Sequence, residues 1–230
     1  MKLLHVIASP RGESSNTLRV SQAFVDVLEA THPDVSVKVV DLFHQDLPAI
    51  AGDNIKAKYT LMVGKPIDRN HAESWAEIEA LIEEFVSADA YLISSPMWNL
   101  SVSYALKYYI DCIVQPGYVF AYNEVGQAVP LVHGKKMVVV SARGGDYSAG
   151  GPMHAYDFQE PYLRAIFGFI GITDLEYIYA QPMDITPDLR EAAVAAAIKS
   201  AQELAGRSDW AQANAGLSLA NPAGLKPKPL

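Results

Sequence analysis

The sequence predicts an α/β domain in which a parallel β-sheet carries helices on both faces. Apolar runs of strand length alternate with stretches of helical periodicity through most of the 230 residues. This alternation indicates a parallel sheet, because parallel neighbours need a crossover between them. The first and fourth runs are unbroken, as in strands buried on both faces. A hydrophobic content of 50% is enough for one substantial core.

Five strands are predicted from these runs, and each is bounded by turn residues or followed by a helical pattern. The connection over residues 42–70 mixes polar and apolar residues with proline and glycine, and predicts an irregular covering segment. Five parallel strands joined in this way fit the flavodoxin-like order 2-1-3-4-5. The predicted strands are residues 3–8, 35–40, 90–94, 136–140 and 175–179.

Helices are predicted where apolar residues recur at the spacing of one helix face. Leu18, Phe24, Val25 and Leu28 show this spacing in the first helix, and Pro187 marks the first turn of the last helix. A further helix carries the segment 106–111. The other predicted helices are residues 17–28, 75–86, 159–170 and 187–205.

One domain is expected over residues 1–205, followed by an extended tail over residues 206–230. The tail is rich in Ala, Asn, Gly and Pro. Disorder and an arm packed on a partner subunit are the two interpretations of that composition.

Composition excludes several classes of function. The net charge of −8 provides no basic surface for nucleic acid or an anionic membrane. No apolar stretch approaches the roughly 20 residues of a membrane span. Cys112 is the only cysteine, so no intrachain disulfide is possible and a cytoplasmic location is expected. The six histidines show no metal-ligand spacing, and no metal site is predicted.

The loop after the first strand is dense in hydroxyl groups and lies where a helix begins. Free amides and the helix dipole favour an anion at such a place, and Ser9, Ser15, Thr17 and Arg11 can add donors or charge. Helix capping by the same serines is an equal alternative. No lysine-containing phosphate loop or dinucleotide fingerprint is present. A hydroxyl-rich loop suits the single phosphate of FMN better than a triphosphate.

The loops after the third and fourth strands can complete a flavin site. Pro96, Met97, Trp98 and Asn99 offer backbone groups and an apolar surface to an isoalloxazine, although Trp98 as a core residue and Asn99 as a helix cap are alternatives. The glycines that follow Arg143 allow close backbone approach to a flat ligand. Because the carboxyl ends of these three strands meet in one crevice, we predict a ligand site there.

Taken together, these motifs resemble the FMN-dependent NADH azoreductases over about residues 1–205. Ser9-Pro10-Arg11, Ser15-Asn16-Thr17, the segments 96–99 and 106–111, Arg143-Gly144-Gly145 and the segment 167–174 carry the resemblance. It implies a flavodoxin-like homodimer whose FMN takes a hydride from NADH or NADPH and reduces a quinone or an azo compound. The site residues that it implies are Ser9, Arg11, Ser15, Asn16, Thr17, Pro96, Met97, Trp98, Asn99, Leu100, Ser141, Arg143, Gly144 and Gly145.

The resemblance has two departures and leaves some roles open. Trp98 stands where many relatives have Tyr, and Ala142 stands where they have Ser or Thr. Phe120, Tyr122 and Tyr147 are expected in the substrate pocket, which Phe120 and Tyr122 could wall across a dimer interface, with ordinary packing as the alternative. No catalytic side chain is assigned, because the cofactor carries the chemistry. A flavodoxin-type electron carrier and an FMN reductase that supplies reduced flavin to a partner are the alternative functions.

Overall fold

The computed structural model describes residues 1–211, without the side chains of residues 69, 70, 208 and 211. Five strands form one parallel sheet in the order β2-β1-β3-β6-β7. This is the predicted order 2-1-3-4-5, with β6 and β7 as the fourth and fifth strands of the sheet. The sheet strands are β1 Lys2–Ile7, β2 Ser36–Asp41, β3 Ala90–Ser94, β6 Lys136–Ala142 and β7 Asp174–Ala180.

A separate antiparallel hairpin, β4 Phe120–Tyr122 and β5 Ala128–Pro130, was not predicted. Each of its strands has three residues, which is too short for a periodic signal. Helix α2 occupies part of the connection predicted to be irregular; it buries only Asn54 and Ala57 and so shows no apolar stripe. The helices are α1 Asn16–Thr31, α2 Asp53–Met62, α3 Arg69–Ser87, α4 Tyr104–Ile113, α5 Gln159–Ile170, α6 Pro187–Ala205 and α7 Ser208–Ala211.

The sheet separates two apolar layers. Along β3 all five residues are buried, and Tyr91 and Ile93 face one layer while Ala90 and Leu92 face the other. Such two-sided burial is the reason for the continuous apolar run in the sequence. Within residues 1–211, none of the helices combines the length and the apolar composition that a membrane span needs.

The segment 167–174, one of the motifs of the family resemblance, turns the chain from α5 into β7. Gly171 ends the helix with a φ of 108°, a conformation that favours glycine. The amides of Gly171 and Ile172 both donate to the carbonyl of Phe167, at 3.1 and 2.9 Å. A Cβ at Gly171 would overlap the carbonyl oxygen of Val132. The glycine is therefore required by the geometry of the turn.

Packed structure continues past the predicted domain boundary at residue 205. Trp210 of α7 is fully buried, and its ring meets the edge of Phe24 at a centroid distance of 5.1 Å. Asp209 accepts from Lys136 at 2.9 Å and from Arg207 at 2.7 Å. The start of the predicted extended tail is thus a short packed helix, and residues 212–230 lie outside the described residues.

Candidate functional site

A cleft of about 360 Å³ lies at the carboxyl edge of the sheet, where flavodoxin-like folds bind ligands. Its volume is in the range of small-molecule sites. Each of the three loops predicted from the sequence contributes to its wall. A fourth wall comes from the loop after β7 and the first turns of α6. The lining residues lie within the segments 9–17, 96–98, 142–144 and 183–190.

The first wall joins β1 to α1 and presents hydroxyl groups. Ser9 and Ser15 are buried and their Oγ atoms lie 2.8 Å apart. Ser15 also caps α1 by accepting from the amide of Leu18 at 3.3 Å, as the capping alternative predicted. Thr17 lines the cleft and is nearly fully buried, yet its Oγ1 has no hydrogen-bond partner among residues 1–211 as far as they are described. Buried hydroxyls are normally bonded, so this unpaired donor fits an anion at the helix N-terminus.

A series of hydrogen bonds between buried polar side chains connects the sheet to the first wall. His5 Nε2 lies 2.7 Å from Ser94 Oγ, which lies 2.5 Å from Ser21 Oγ. Ser21 in turn donates to the carbonyl of Thr17 at 2.8 Å. Burial lowers the pKa of His5 to about 4, opposed by the negative charge of Asp41. The histidine is therefore neutral near pH 7, and these hydrogen bonds link the sheet to the first turn of α1.

The low pKa of His5 predicts a pH-dependent stability. The pKa of His5 is 6.5 in the unfolded chain and about 4 in the folded chain. The contribution of His5 to the free energy of unfolding is therefore complete above pH 6.5 and is lost as the pH falls from 6.5 to about 4. Between pH 7 and pH 5 the free energy of unfolding should fall by about 2 kcal/mol from this group. In urea denaturation, the free energy of unfolding of His5→Gln should depend less on pH between pH 7 and pH 5 than that of the natural protein. His154→Gln, a substitution at an exposed position, should retain the full pH dependence. An unchanged pH dependence in His5→Gln would contradict the assignment.

The second wall follows β3 and contains a tight, strained turn. Trp98 and Ser101 exchange two backbone hydrogen bonds of 3.0 Å across Asn99 and Leu100. Both intervening residues have positive φ, 46° and 72°. A leucine in this conformation is uncommon and costs about 1–3 kcal/mol, and such strain concentrates at functional sites. In the described part of the chain the cleft is lined by Trp98, at the start of this turn, and not by Asn99 or Leu100.

Trp98 belongs to an aromatic group at the rim of the cleft. Its ring lies 5.9 Å from Phe43 and 6.2 Å from Tyr104, and those two rings are 5.6 Å apart. Tyr104 is 71% exposed. An exposed aromatic surface beside a cleft can pack against a flat ligand. Phe43 and Tyr104 were not predicted as site residues.

The third wall is fixed from behind by Arg143, whose side chain is 1% exposed. Its guanidinium pairs with Asp157 at 2.8 Å, donates to Gln159 at 3.2 Å and lies 3.8 Å from the ring centre of Tyr179. These contacts hold Arg143, and with it the third loop, in place. Ala142 and Gly144 line the cleft with Arg143.

Two other residues predicted in the third loop lie behind the wall. Ser141 is fully buried and donates to Gln159 at 2.7 Å. A Cβ at Gly145 would meet Met153 at 2.9 Å. Neither Ser141 nor Gly145 is among the lining residues of the cleft in the described part of the chain.

The fourth wall was missed in the sequence and consists of Met183, Asp184 and Arg190. The amides of Met183 and Asp184 donate to the carbonyl of Gly144 at 3.0 and 3.1 Å. A Cβ at Gly144 would overlap the Asp184 carboxylate, so this glycine permits contact between two walls. Arg190 donates to the carbonyl of Met183 at 2.8 Å. The signal was available, because the fifth parallel strand ends at the same edge as the others.

The three residues predicted for the substrate pocket lie elsewhere in the described chain. Phe120 packs on the hairpin, with its ring 4.8 Å from Phe169 and 5.6 Å from Tyr122. The amide of Tyr147 donates to Gln181 at 3.3 Å. None of Phe120, Tyr122 and Tyr147 is among the lining residues of this cleft. Phe120 and Tyr147 are buried and Tyr122 is exposed, and their role in a substrate pocket stays a prediction.

Comparison with known proteins agrees with this architecture. Residues 1–205 match the family model described as a flavodoxin-like fold. An FMN-dependent NADH:quinone oxidoreductase of Nitratidesulfovibrio vulgaris is 40% identical over 204 residues, which cover 88% of this chain and 97% of that protein. The crystal structure of an azoreductase from Bacillus anthracis superposes with a TM-score of 0.80 at 28% identity, covering 90% of this chain and 99% of that one.

A second structure from Bacillus anthracis, an FMN-dependent NADH-azoreductase in complex with FMN, has a TM-score of 0.76 at 26% identity. It covers 89% of this chain and 99% of its own. These matches cover nearly the whole length of each relative, and the family match over residues 1–205 includes all four walls of the cleft. The chain belongs to the flavodoxin-like family, together with these FMN-dependent NADH:quinone oxidoreductases.

Proposed function

We propose that this protein is an FMN-dependent NAD(P)H oxidoreductase that reduces quinones and azo compounds in its cleft. The observation that carries the proposal is the unpaired hydroxyl of Thr17 beside the paired serines at the start of α1. A phosphate there would complete the hydrogen bonding of a buried group. Two of the relatives named above are FMN-dependent enzymes, and the structure of one of them is a complex with FMN.

Three of the walls would bind different parts of the FMN molecule. Ser9, Ser15, Asn16 and Thr17 would hold the phosphate, where hydroxyls and helix amides supply donors. The backbone of residues 96–98 and 142–144 would line the two edges of the isoalloxazine. These segments are already joined, since the amide of Met97 donates to the carbonyl of Ala142 at 3.0 Å. This backbone hydrogen bond is one of the contacts that hold the two edges together.

Bound FMN supplies the two-electron chemistry, and the chain supplies position and surroundings. The part-buried ring of Trp98 and the exposed ring of Tyr104 form an apolar surface on which nicotinamide and oxidant can each be placed. A cleft of this size suits one nucleotide. The donor and the oxidant would therefore stack on the bound flavin in turn rather than together, which gives ping-pong kinetics.

Anaerobic rapid mixing of the FMN-loaded protein tests the function. NADH or NADPH should bleach the flavin absorbance within the turnover time, and a quinone should then restore it. Initial rates at several quinone concentrations should give parallel double-reciprocal lines. Slow bleaching by both nucleotides would instead identify an electron carrier. Release of reduced flavin on dilution would identify an FMN reductase.

The proposal includes a homodimer, as the family resemblance implies. Several large apolar side chains are exposed on the described chain, among them Phe158 at 56% and Phe169 at 40%. Exposed apolar side chains are a common feature of subunit interfaces. Light scattering should give twice the mass of one chain, and a monomer at micromolar concentration would contradict this part of the proposal.

A further inference from the structure

A single buried side chain bonds two walls of the cleft that come from different strands. Gln159 is the first residue of α5 and is fully buried. It is absent from the cleft lining within the described residues. The wall after β3 and the wall after β6 therefore meet behind the cleft surface at this residue.

The two ends of the carboxamide contact different walls. Gln159 Oε1 accepts from Ser141 Oγ at 2.7 Å and from Arg143 Nε at 3.2 Å. Gln159 Nε2 donates to the carbonyl oxygens of Ser95 at 3.2 Å and Pro96 at 3.3 Å. A carboxamide has two acceptor sites and two donor hydrogens, so its whole capacity is used. This arrangement requires an acceptor oxygen and an NH₂ group on the same side chain. Asparagine also has both groups, but its side chain is shorter.

The backbone of Gln159 is fixed as well. Asp157 Oδ1 accepts from the amides of Gln159 and Glu160 at 3.0 and 3.1 Å, while its Oδ2 pairs with Arg143. The first turn of α5 is thereby tied to the same loop that its side chain contacts. Gln159 can therefore transmit the position of one wall to the other, because a buried carboxamide whose donors and acceptors are all bonded is held rigidly. Arg143 Nη2, in the same network, has no hydrogen-bond partner among the described residues.

We propose that Gln159 is a positioning residue that sets the spacing between the second and third walls and so controls flavin affinity. The inference rests on the proposed function for its flavin part, because the cleft must bind FMN for the spacing to matter. Ligand sites need supporting residues that hold the contacting groups in place. Gln159 does this without touching the ligand.

Titration of the apoprotein with FMN, followed by flavin fluorescence, tests the flavin part. Gln159→Met keeps the shape but removes all four hydrogen bonds, and should raise the Kd for FMN about tenfold. Leu163→Ala is the matched control, because it removes buried side-chain volume from the same helix without a bond to either wall. It should leave the Kd within about twofold, although it lowers the melting temperature. Equal Kd values for Gln159→Met and the natural protein would overturn the inference, as would an equal loss in Leu163→Ala.

Hydrogen exchange of the apoprotein tests the positioning part without any flavin. Gln159→Met should speed exchange of the amides of Met97 and Arg143, which lie on opposite walls. Gln159→Glu is a second variant, which also serves if the methionine variant does not fold. Its carboxylate can still accept from Ser141 and Arg143, but it places an oxygen instead of an NH₂ group against the carbonyls of Ser95 and Pro96. It should speed exchange at Met97 alone.

The two experiments separate the possible failures. If the natural protein does not bind FMN but the exchange pattern is as expected, the proposed cofactor is wrong and the link between the walls is supported. If exchange at Met97 is unchanged in both variants, the link is wrong whatever the cofactor.

Discussion

Asp157→Ala is expected to lower the free energy of unfolding by about 3–5 kcal/mol, the cost of leaving a buried charge without its partner. The Arg143 guanidinium is 1% exposed and the Asp157 carboxylate 8% exposed, at an N–O distance of 2.8 Å. The alanine variant also leaves the amides of Gln159 and Glu160 without their acceptor. Urea denaturation at pH 7 measures the loss.

Asp111→Ala is the matched control for this substitution. Asp111 pairs with Lys107 at 2.7 Å on an exposed face of α4, where both side chains are about half exposed. Exposed pairs of this kind contribute about 0.3–0.5 kcal/mol. If Asp157→Ala were as mild as Asp111→Ala, Arg143 would not be held by the contacts described here, and the third wall would lack its support.

Thr17→Val is expected to weaken FMN binding roughly 10- to 100-fold, as for loss of a hydrogen bond to a charged group. The same substitution should not destabilise the apoprotein. Valine has the same shape and removes a buried hydroxyl that has no partner in the structure. Replacement of an unpaired polar group by an apolar one should leave stability unchanged or raise it by about 1 kcal/mol. Flavin fluorescence titration and thermal denaturation of the apoprotein measure the two effects.

Thr31→Val provides the comparison at the other end of the same helix. Thr31 Oγ1 donates to the carbonyl of Val27 at 2.7 Å and is exposed, far along α1 from the cleft. This variant should bind FMN as the natural protein does. A Thr17→Val protein with natural affinity for FMN would show that the hydroxyl of Thr17 does not contact the phosphate.

The sheet was predictable because its inner strands carry long apolar signals. The runs at residues 3–8 and 136–140 are examples of these signals. The alternation of strands with helices then predicts a parallel sheet, which the structure shows with five strands. The hairpin β4–β5 and helix α2 were not predictable in the same way. Three-residue strands have no period, and α2 buries only Asn54 and Ala57. Helix α7 depends on the burial of Trp210, a tertiary contact that local sequence does not contain.

The cleft was predictable to the level of loops but not of side chains. Strand ends identified the loops that contain Ser9, Pro96 and Gly144, since topology brings them to one edge. Which side chains face the cleft depends on packing behind it. Ser141 is turned away by its bond to Gln159, and that glutamine lies on a helix about eighteen residues further along the chain. Contacts over such distances leave no local pattern in a single sequence.

The central claim is that this cleft binds a flavin mononucleotide with its phosphate at the start of α1. Calorimetric titration of the apoprotein with FMN and, separately, with riboflavin tests it most directly. FMN should bind with one molecule per chain, and riboflavin, which lacks the phosphate, should bind at least about 100-fold more weakly. Equal affinities for the two flavins, or no binding of FMN, would contradict the account.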